Sequence, residues 1–180
     1  MNLSRPVLAR ARFRRRVWFS LCSAALAAGA LGVTALPVAA QSIGAPEEQQ
    51  AVMAVVRRLF DGMRAADSSM VRSVFDPRLR MITAATRNGA PVVTIEQGAD
   101  GFVKSVGTPR PDKIDERIRN ERVHIDGTLA SVWVDYGLFI GPKFSHCGID
   151  HFLLVRNDGA WKILEIADTR RTTGCEQWTR

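Results

Sequence analysis

The chain has 180 residues, 46% of them hydrophobic, and a formal net charge of +7. That charge is local: Arg5, Arg10, Arg12, Arg14, Arg15 and Arg16 precede residue 41 with no acidic residue among them. The rest of the chain sets 19 basic residues against 18 acidic ones, which leaves no cluster of cations to neutralise phosphates and excludes nucleic acid as a partner.

The arginines are followed by an uncharged run from Val17 to Ala40, rich in Ala, Leu and Val and ending in Val38-Ala39-Ala40. A basic start, an apolar middle and small residues at the end predict an export signal over residues 1–40, cleaved after Ala40. The alternative is a retained anchor, because the run approaches the length that spans a bilayer. Arg15-Arg16 before Val17-Trp18-Phe19 also resembles a twin-arginine signal, so the export route stays open. On the first reading the mature protein is periplasmic or secreted and has no stable membrane insertion. Residues 41–180 are then one domain with enough chain for one core. Cys147 and Cys175 are the cysteines left after processing, and an even number in an exported protein predicts a bridge between them.

In chain order, Pro46-Glu47-Glu48 starts a helix, with proline in the first turn and acids near its positive end. Val52, Val55, Val56, Leu59, Phe60 and Met63 form one apolar stripe along it. Asp67 caps a second, shorter helix carrying Met70, Val71, Val74 and Phe75, which ends before Pro77. From Arg78 the period becomes alternating, and Asn88-Gly89 marks a hairpin whose returning strand is Val92 to Glu96. A small helix around Phe102, Val103 and Val106 follows. Lys113 to Ile125 is a strand whose apolar parity changes between Ile118 and Val123, predicting a bulge around Arg119 to Arg122. Asp126-Gly127, Gly141-Pro142-Lys143 and Asn157-Asp158-Gly159 are turns between the last strands. The order α-α-β-β-α-β-β-β-β is an α+β layer arrangement, with helices against one face of a curved antiparallel sheet.

Ser145-His146-Cys147-Gly148, Phe152, Trp161-Lys162-Ile163, Asp168-Thr169-Arg170-Arg171 and the following Cys175, with Trp133 to Phe139 before them, carry a family likeness. They resemble the nuclear transport factor 2-like superfamily, the cone-shaped fold of ketosteroid isomerase, scytalone dehydratase and SnoaL-like cyclases. More narrowly they resemble its exported bacterial members of lumazine-binding type. The resemblance implies a cone with three N-terminal-half helices on the concave face of the sheet, a cavity and a homodimer. It carries no mechanism, since the isomerase catalytic set is not recognisable and Tyr136 is the one tyrosine.

Strand pairing counted outward from the turns sets Leu138 against His146, Tyr136 against Gly148 and Val134 against Asp150. In the last hairpin it sets Val155 against Trp161, Asp150 against Ile166, Gly148 against Asp168 and His146 against Arg170. One face then gathers Tyr136, His146, Asp150, Phe152, Asp168 and Arg170 as ligand-binding residues around a mostly apolar pocket, with Gly148 leaving space among them. Asp150, Asp168 or His146 is the candidate general acid or base, and Tyr136 a donor to a developing oxyanion. The competing reading makes Asp168 with Arg170 or Arg171 an ion pair and His146 a structural histidine. Leu164 and Ile166 belong to the pocket face on this register. Trp133 and Trp161 fall on the opposite, also apolar, face and are the predicted anchors of a homodimer. No metal or cofactor is expected, because His146 and Asp150 point away from His151 and no ligand spacing recurs. Three functions remain: a domain that binds a small apolar or aromatic ligand without a reaction, an isomerase, dehydratase or cyclase working by proton transfer, or a module docking another protein through the sheet face.

Overall fold

The structure is a computed structural model that describes residues 43–179. The predicted export signal and its cleavage site lie outside the described residues. Helix α1 (Pro46–Ala65) begins at Pro46 with Glu47 and Glu48 in its first turn, and it ends at Ala66 in the left-handed conformation (φ 53°). Its stripe of Val52, Val56, Leu59 and Phe60 is buried in the core. Helix α2 (Ser68–Ser73) is capped by Asp67, whose side chain accepts from the Met70 amide at 2.9 Å. It ends before Pro77 as expected, but Phe75 and Pro77 already belong to strand β1 (Phe75–Arg87). The hairpin at Asn88-Gly89, with positive φ at both residues, leads into β2 (Ala90–Gln97). Helix α3 (Asp100–Gly107) follows, then β3 (Ile114–Asp126), β4 (Leu129–Ile140), β5 (Lys143–Asn157) and β6 (Ala160–Arg170). A short α4 (Glu176–Thr179) ends the described chain.

The six strands form one unclosed sheet in the order β2-β1-β6-β5-β4-β3. Neighbours are antiparallel except β1 and β6, which run parallel and join the first hairpin to the last. The parity change predicted in β3 is a bulge: pairing with β4 shifts between Arg119 and Arg122, and Asn120 takes a φ of 55°. The bulge bends the sheet around α1, which is tied to β3 where Arg64 donates to the Asp115 carboxylate (3.3 Å) and the Glu116 carbonyl (3.2 Å).

The β4–β5 register is as expected through the site: Leu138 faces His146, Tyr136 faces Gly148 and Val134 faces Asp150. The β5–β6 register is not. The turn is tighter than the sequence reading supposed, with Asn157 opposite Ala160 and Arg156 opposite Trp161. Leu164 then stands unpaired between Leu154–Ile163 and Leu153–Glu165. Beyond that bulge Asp150 faces Asp168 and Phe152 faces Ile166, two residues from the expected partners. Leu164 is therefore a bulge residue and not part of the core. Trp161 is corrected most: it is 6% exposed, lies in the core cluster on the helix side, and its Nε1 donates to Glu48 of α1 at 3.4 Å. It is not a surface anchor, whereas Trp133 is 41% exposed on the outer face.

Cys147 and Cys175 form a disulfide across 28 residues of sequence. It holds the C-terminal segment against the outer face, where Trp178 covers Gly137; a Cβ there would meet the Trp178 ring at 2.4 Å. Arg119 stacks over the ring, 4.5 Å from its centroid. Closing a loop of this length restricts the unfolded chain by about 3–4 kcal/mol in the chain-entropy model. The double replacement Cys147→Ala/Cys175→Ala is expected to lower unfolding stability by that amount in a denaturant titration. A midpoint unmoved by the replacement or by reductant would show that the bridge does not form.

Candidate functional site

The concave face of the sheet, covered by α1 and α3, encloses a cavity of about 180 Å³. Its walls are Leu59, Phe60 and Met63 from α1, Phe102 from α3, and Phe152 and Ile166 from the sheet. Phe60 meets Phe152 edge-on at 5.9 Å, and Phe102 meets Phe75 at 6.1 Å, so the aromatic wall is braced from both layers. All six residues expected to contact a ligand (Tyr136, His146, Asp150, Phe152, Asp168 and Arg170) line this one cavity. Parity survives the slip in β6 because the tight turn and the bulge each displace the pairing by one residue, and together by an even number.

Their individual states differ from expectation. Asp168 accepts from Thr83 Oγ1 at 2.6 Å and from Arg170 Nε at 2.6 Å, which makes it the ion pair of the competing reading. Tyr136 is 1% exposed, and its hydroxyl donates to the Thr169 carbonyl at 2.8 Å. That proton is committed to the backbone, so Tyr136 is corrected from oxyanion donor to a wall residue that can still accept. Burial, with the carboxylates nearby, pushes its phenol up and keeps it neutral. Gly148 opens no space. A Cβ there would lie 1.8 Å from the Thr169 carbonyl oxygen and 2.6 Å from Tyr136 Cε1, so glycine permits this close packing. His146 lies edge-on to Tyr136 at 5.7 Å, with Nδ1 at 3.0 Å from Ser145 Oγ. Burial and then the Arg170 charge hold its pKa down against the pull of Asp168, so it is neutral at pH 7. His151 points to the other face and pairs with Ser131 Oγ at 2.9 Å.

The residue that sequence reasoning missed is Glu116, on β3 opposite Leu138. Its half-buried side chain hydrogen-bonds Asp150, which is 4% exposed. Burial, the Glu116 charge and the hydrogen bond all push the Asp150 carboxyl well above the usual range, with Asp168 adding to this and Arg170 opposing it. Burial likewise raises Glu116, to about 7, although the Asp150 hydrogen bond favours its charged form. Asp150 thus keeps its proton and donates it to Glu116, and one proton is shared by two carboxyls in an apolar chamber. The missed signal was parity: Glu116 lies between Ile114 and Ile118 on the inward side of β3, and Ile114 lines the cavity as well.

The chain is similar to known proteins over most of this domain. Residues 47–166 match the family described as "Putative lumazine-binding". Among solved structures, an NTF2-like protein of unknown function from Shewanella baltica superposes with a TM-score of 0.54 at 19% identity, covering 71% of this chain and 96% of that one. A "Putative Scytalone Dehydratase" from Novosphingobium aromaticivorans gives 0.57 at 16% identity, over 70% of this chain and 85% of the other. The β subunit of a protein described as an aromatic-ring-hydroxylating dioxygenase from the same organism gives 0.58 at 12%, over 70% and 90%. At these identities the structures share the fold and nothing finer. No curated protein matches the chain in sequence. The chain belongs to the family described as "Putative lumazine-binding" and has the fold of nuclear transport factor 2-like proteins.

Proposed function

We propose that this protein binds a small, mostly apolar ligand in the concave cavity, with the Glu116–Asp150 pair as its polar anchor. The observation that carries the reading is the pair itself. Two hydrogen-bonded carboxyls face a chamber whose walls are Leu, Phe, Met and Ile side chains. Burying acids in such surroundings costs several kcal/mol, which a folded core has no need to incur for packing alone. An apolar hollow with few converging polar groups is the usual form of a small-molecule site. Its volume exceeds that of the ~150 Å³ apolar cavity known to admit benzene.

Native mass spectrometry of the full chain, purified after export from a bacterial host, tests the reading. A bound small molecule is expected, and Met63→Trp, which fills the chamber from the half-buried wall of α1, should remove it. Adducts that survive the replacement would place binding elsewhere. A second reading, a proton-transfer enzyme of isomerase, dehydratase or cyclase type, is favoured by one observation. A glutamate pushed to about 7 can both take and return a proton at neutral pH. On that reading Asp150→Asn retains ligand affinity and loses turnover.

The remaining proposals concern where the protein acts and with what. The leader composition and the Cys147–Cys175 bridge support export to an oxidising compartment. The exposed Trp133 on the outer sheet face supports a homodimer through that face, now without Trp161. Docking of another exported protein there is the third reading.

A further inference from the structure

The cavity has an uneven charge balance. Three carboxyl groups line it, Glu116, Asp150 and Asp168, against one guanidinium, Arg170. Arg170 is already spent: its Nε donates to Asp168 at 2.6 Å, and its Nη2 reaches Asp168 at 3.5 Å and Thr83 Oγ1 at 3.2 Å. Asp168 is equally occupied, since it also accepts from the Thr83 hydroxyl. That pair cancels in charge and leaves Glu116 and Asp150 with no cation of their own. His146 supplies none, because burial and Arg170 keep its ring neutral. Tyr136 donates its one proton to the Thr169 carbonyl. From the helix side α1 and α3 present Leu59, Phe60, Met63 and Phe102, none of which titrates. The polar part of the chamber is thus a singly negative carboxyl pair, with aromatic side chains on both its sheet and helix walls.

We infer that the ligand of this cavity carries a protonated nitrogen, an aromatic or apolar amine whose ammonium group sits on the Glu116–Asp150 pair while its ring lies against Phe60, Phe102 and Phe152. The inference rests on the ligand-binding reading of the same cavity and adds the class of ligand. An ammonium group supplies the missing countercharge in a site of low polarity, where charge-assisted hydrogen bonds are strongest. The aromatic faces add to the attraction for a cation. A carboxylate ligand would bring like charge to the pair and find the Arg170 charge already balanced by Asp168. Proton sharing also gives the preference a direction in pH. Lowering the pH through about 7 neutralises Glu116 and removes the charge that the ammonium seeks, so amine affinity falls toward acid.

Tryptamine, tryptophol and indole-3-acetate share one ring and differ in charge, and they serve as the probes. Each is titrated into the full-length protein, with binding followed by amide NMR shifts of cavity residues. At pH 8 tryptamine is expected to bind at least about tenfold more tightly than indole-3-acetate, the equivalent of one charge-assisted hydrogen bond, with tryptophol between them. Glu116→Gln should bring the amine and the acid within about threefold of each other while tryptophol affinity changes little. Asp150→Asn leaves the Glu116 charge in place and should keep the tryptamine preference, and repeating the titrations of the parent at pH 5.5, where that preference should fall, keeps the test open if Glu116→Gln is poorly folded. Indole-3-acetate binding as tightly as tryptamine in the cavity would overturn the charge inference and leave the ligand-binding reading standing. Absence of cavity shifts with all three probes would overturn both.

Discussion

Replacing Glu116 by glutamine is expected to raise unfolding stability at pH 8 by about 3 kcal/mol and to leave it almost unchanged near pH 4. The carboxyl has an ordinary value of 4.5 and is pushed to about 7 by burial in the folded chain. Between those values the unfolded chain has lost its proton while the native chain still holds it, so stability falls as pH rises. The contribution of the neutral acid is complete below 4.5 and lost once pH passes about 7. Asp150, raised as well, adds to the loss in the same direction from its ordinary value of 3.8 upward. Glutamine keeps an acceptor for the Asp150 proton and carries no charge to desolvate. Urea titrations of both proteins at pH 4, 6 and 8 read the effect directly. A variant no more stable than the parent at pH 8 would mean that Glu116 ionises in the ordinary glutamate range, with water or a cation at hand.

Gly148→Ala is expected to cost more than about 3 kcal/mol, beyond the usual range for one added methyl group. The added carbon would stand 1.8 Å from the Thr169 carbonyl oxygen, which is backbone and also accepts the Tyr136 hydroxyl. Relief requires β5 and β6 to part at the point where Ile149 N donates to Thr169 Oγ1 at 3.1 Å. Gly137→Ala is the control. It meets the ring of Trp178, which lies in the C-terminal segment and can withdraw from the sheet with less disruption. Chemical denaturation should therefore rank Gly148→Ala well below Gly137→Ala. Equal stabilities, or a Gly148→Ala loss under about 1 kcal/mol, would contradict the close approach of the two strands.

Much of this fold is written locally. The stripe from Val52 to Met63 makes α1, Asp67 caps α2, and Asn88-Gly89 turns the first hairpin, each within a few residues. The bulge in β3 is legible because the apolar parity reverses with no turn to explain it. The β4–β5 ladder through the site is legible for a similar reason. Its turn at Gly141 is short, and the bulge at Ser145, unpaired between Leu138–His146 and Phe139–Phe144, restores the expected partners. The β5–β6 ladder misleads because two small effects add. A two-residue turn through Asp158 and Gly159 and an unpaired Leu164 move every pairing beyond them; the Asp-Gly pair marks such a turn once Asn157 is left to the strand, whereas the Leu164 bulge has no residue signature. Trp161 is consequently misplaced, since its parity was counted from the wrong turn. The parallel pairing of β1 with β6 joins segments about eighty residues apart, and no local pattern announces a contact at that range.

The candidate site divides along the same line. Residues on β4, β5 and β6 were gathered correctly because consecutive hairpins share a face. Glu116 entered from β3, a strand that the register counted from the last two turns does not reach, although it shares the parity of Ile114 and Ile118. Its partner Asp150 was recognised, but the partnership was not, and it is the partnership that sets the chemistry. Two acids that share a proton form a different site from one acid beside a histidine and a tyrosine. They offer negative charge and a transferable proton together, and both follow from burial opposite an aromatic wall.

The chemistry of the cavity depends on the protonation of that pair in the folded, ligand-free protein. Carboxyl-carbon NMR of chain labelled at glutamate, with Glu116 assigned by its glutamine variant, measures it across pH 4 to 9. The prediction is a Glu116 midpoint near 7 that moves when Asp150 is changed to asparagine. A midpoint in the ordinary glutamate range of about 4.3, unmoved by that change, would show two independent, hydrated acids and no proton-sharing site.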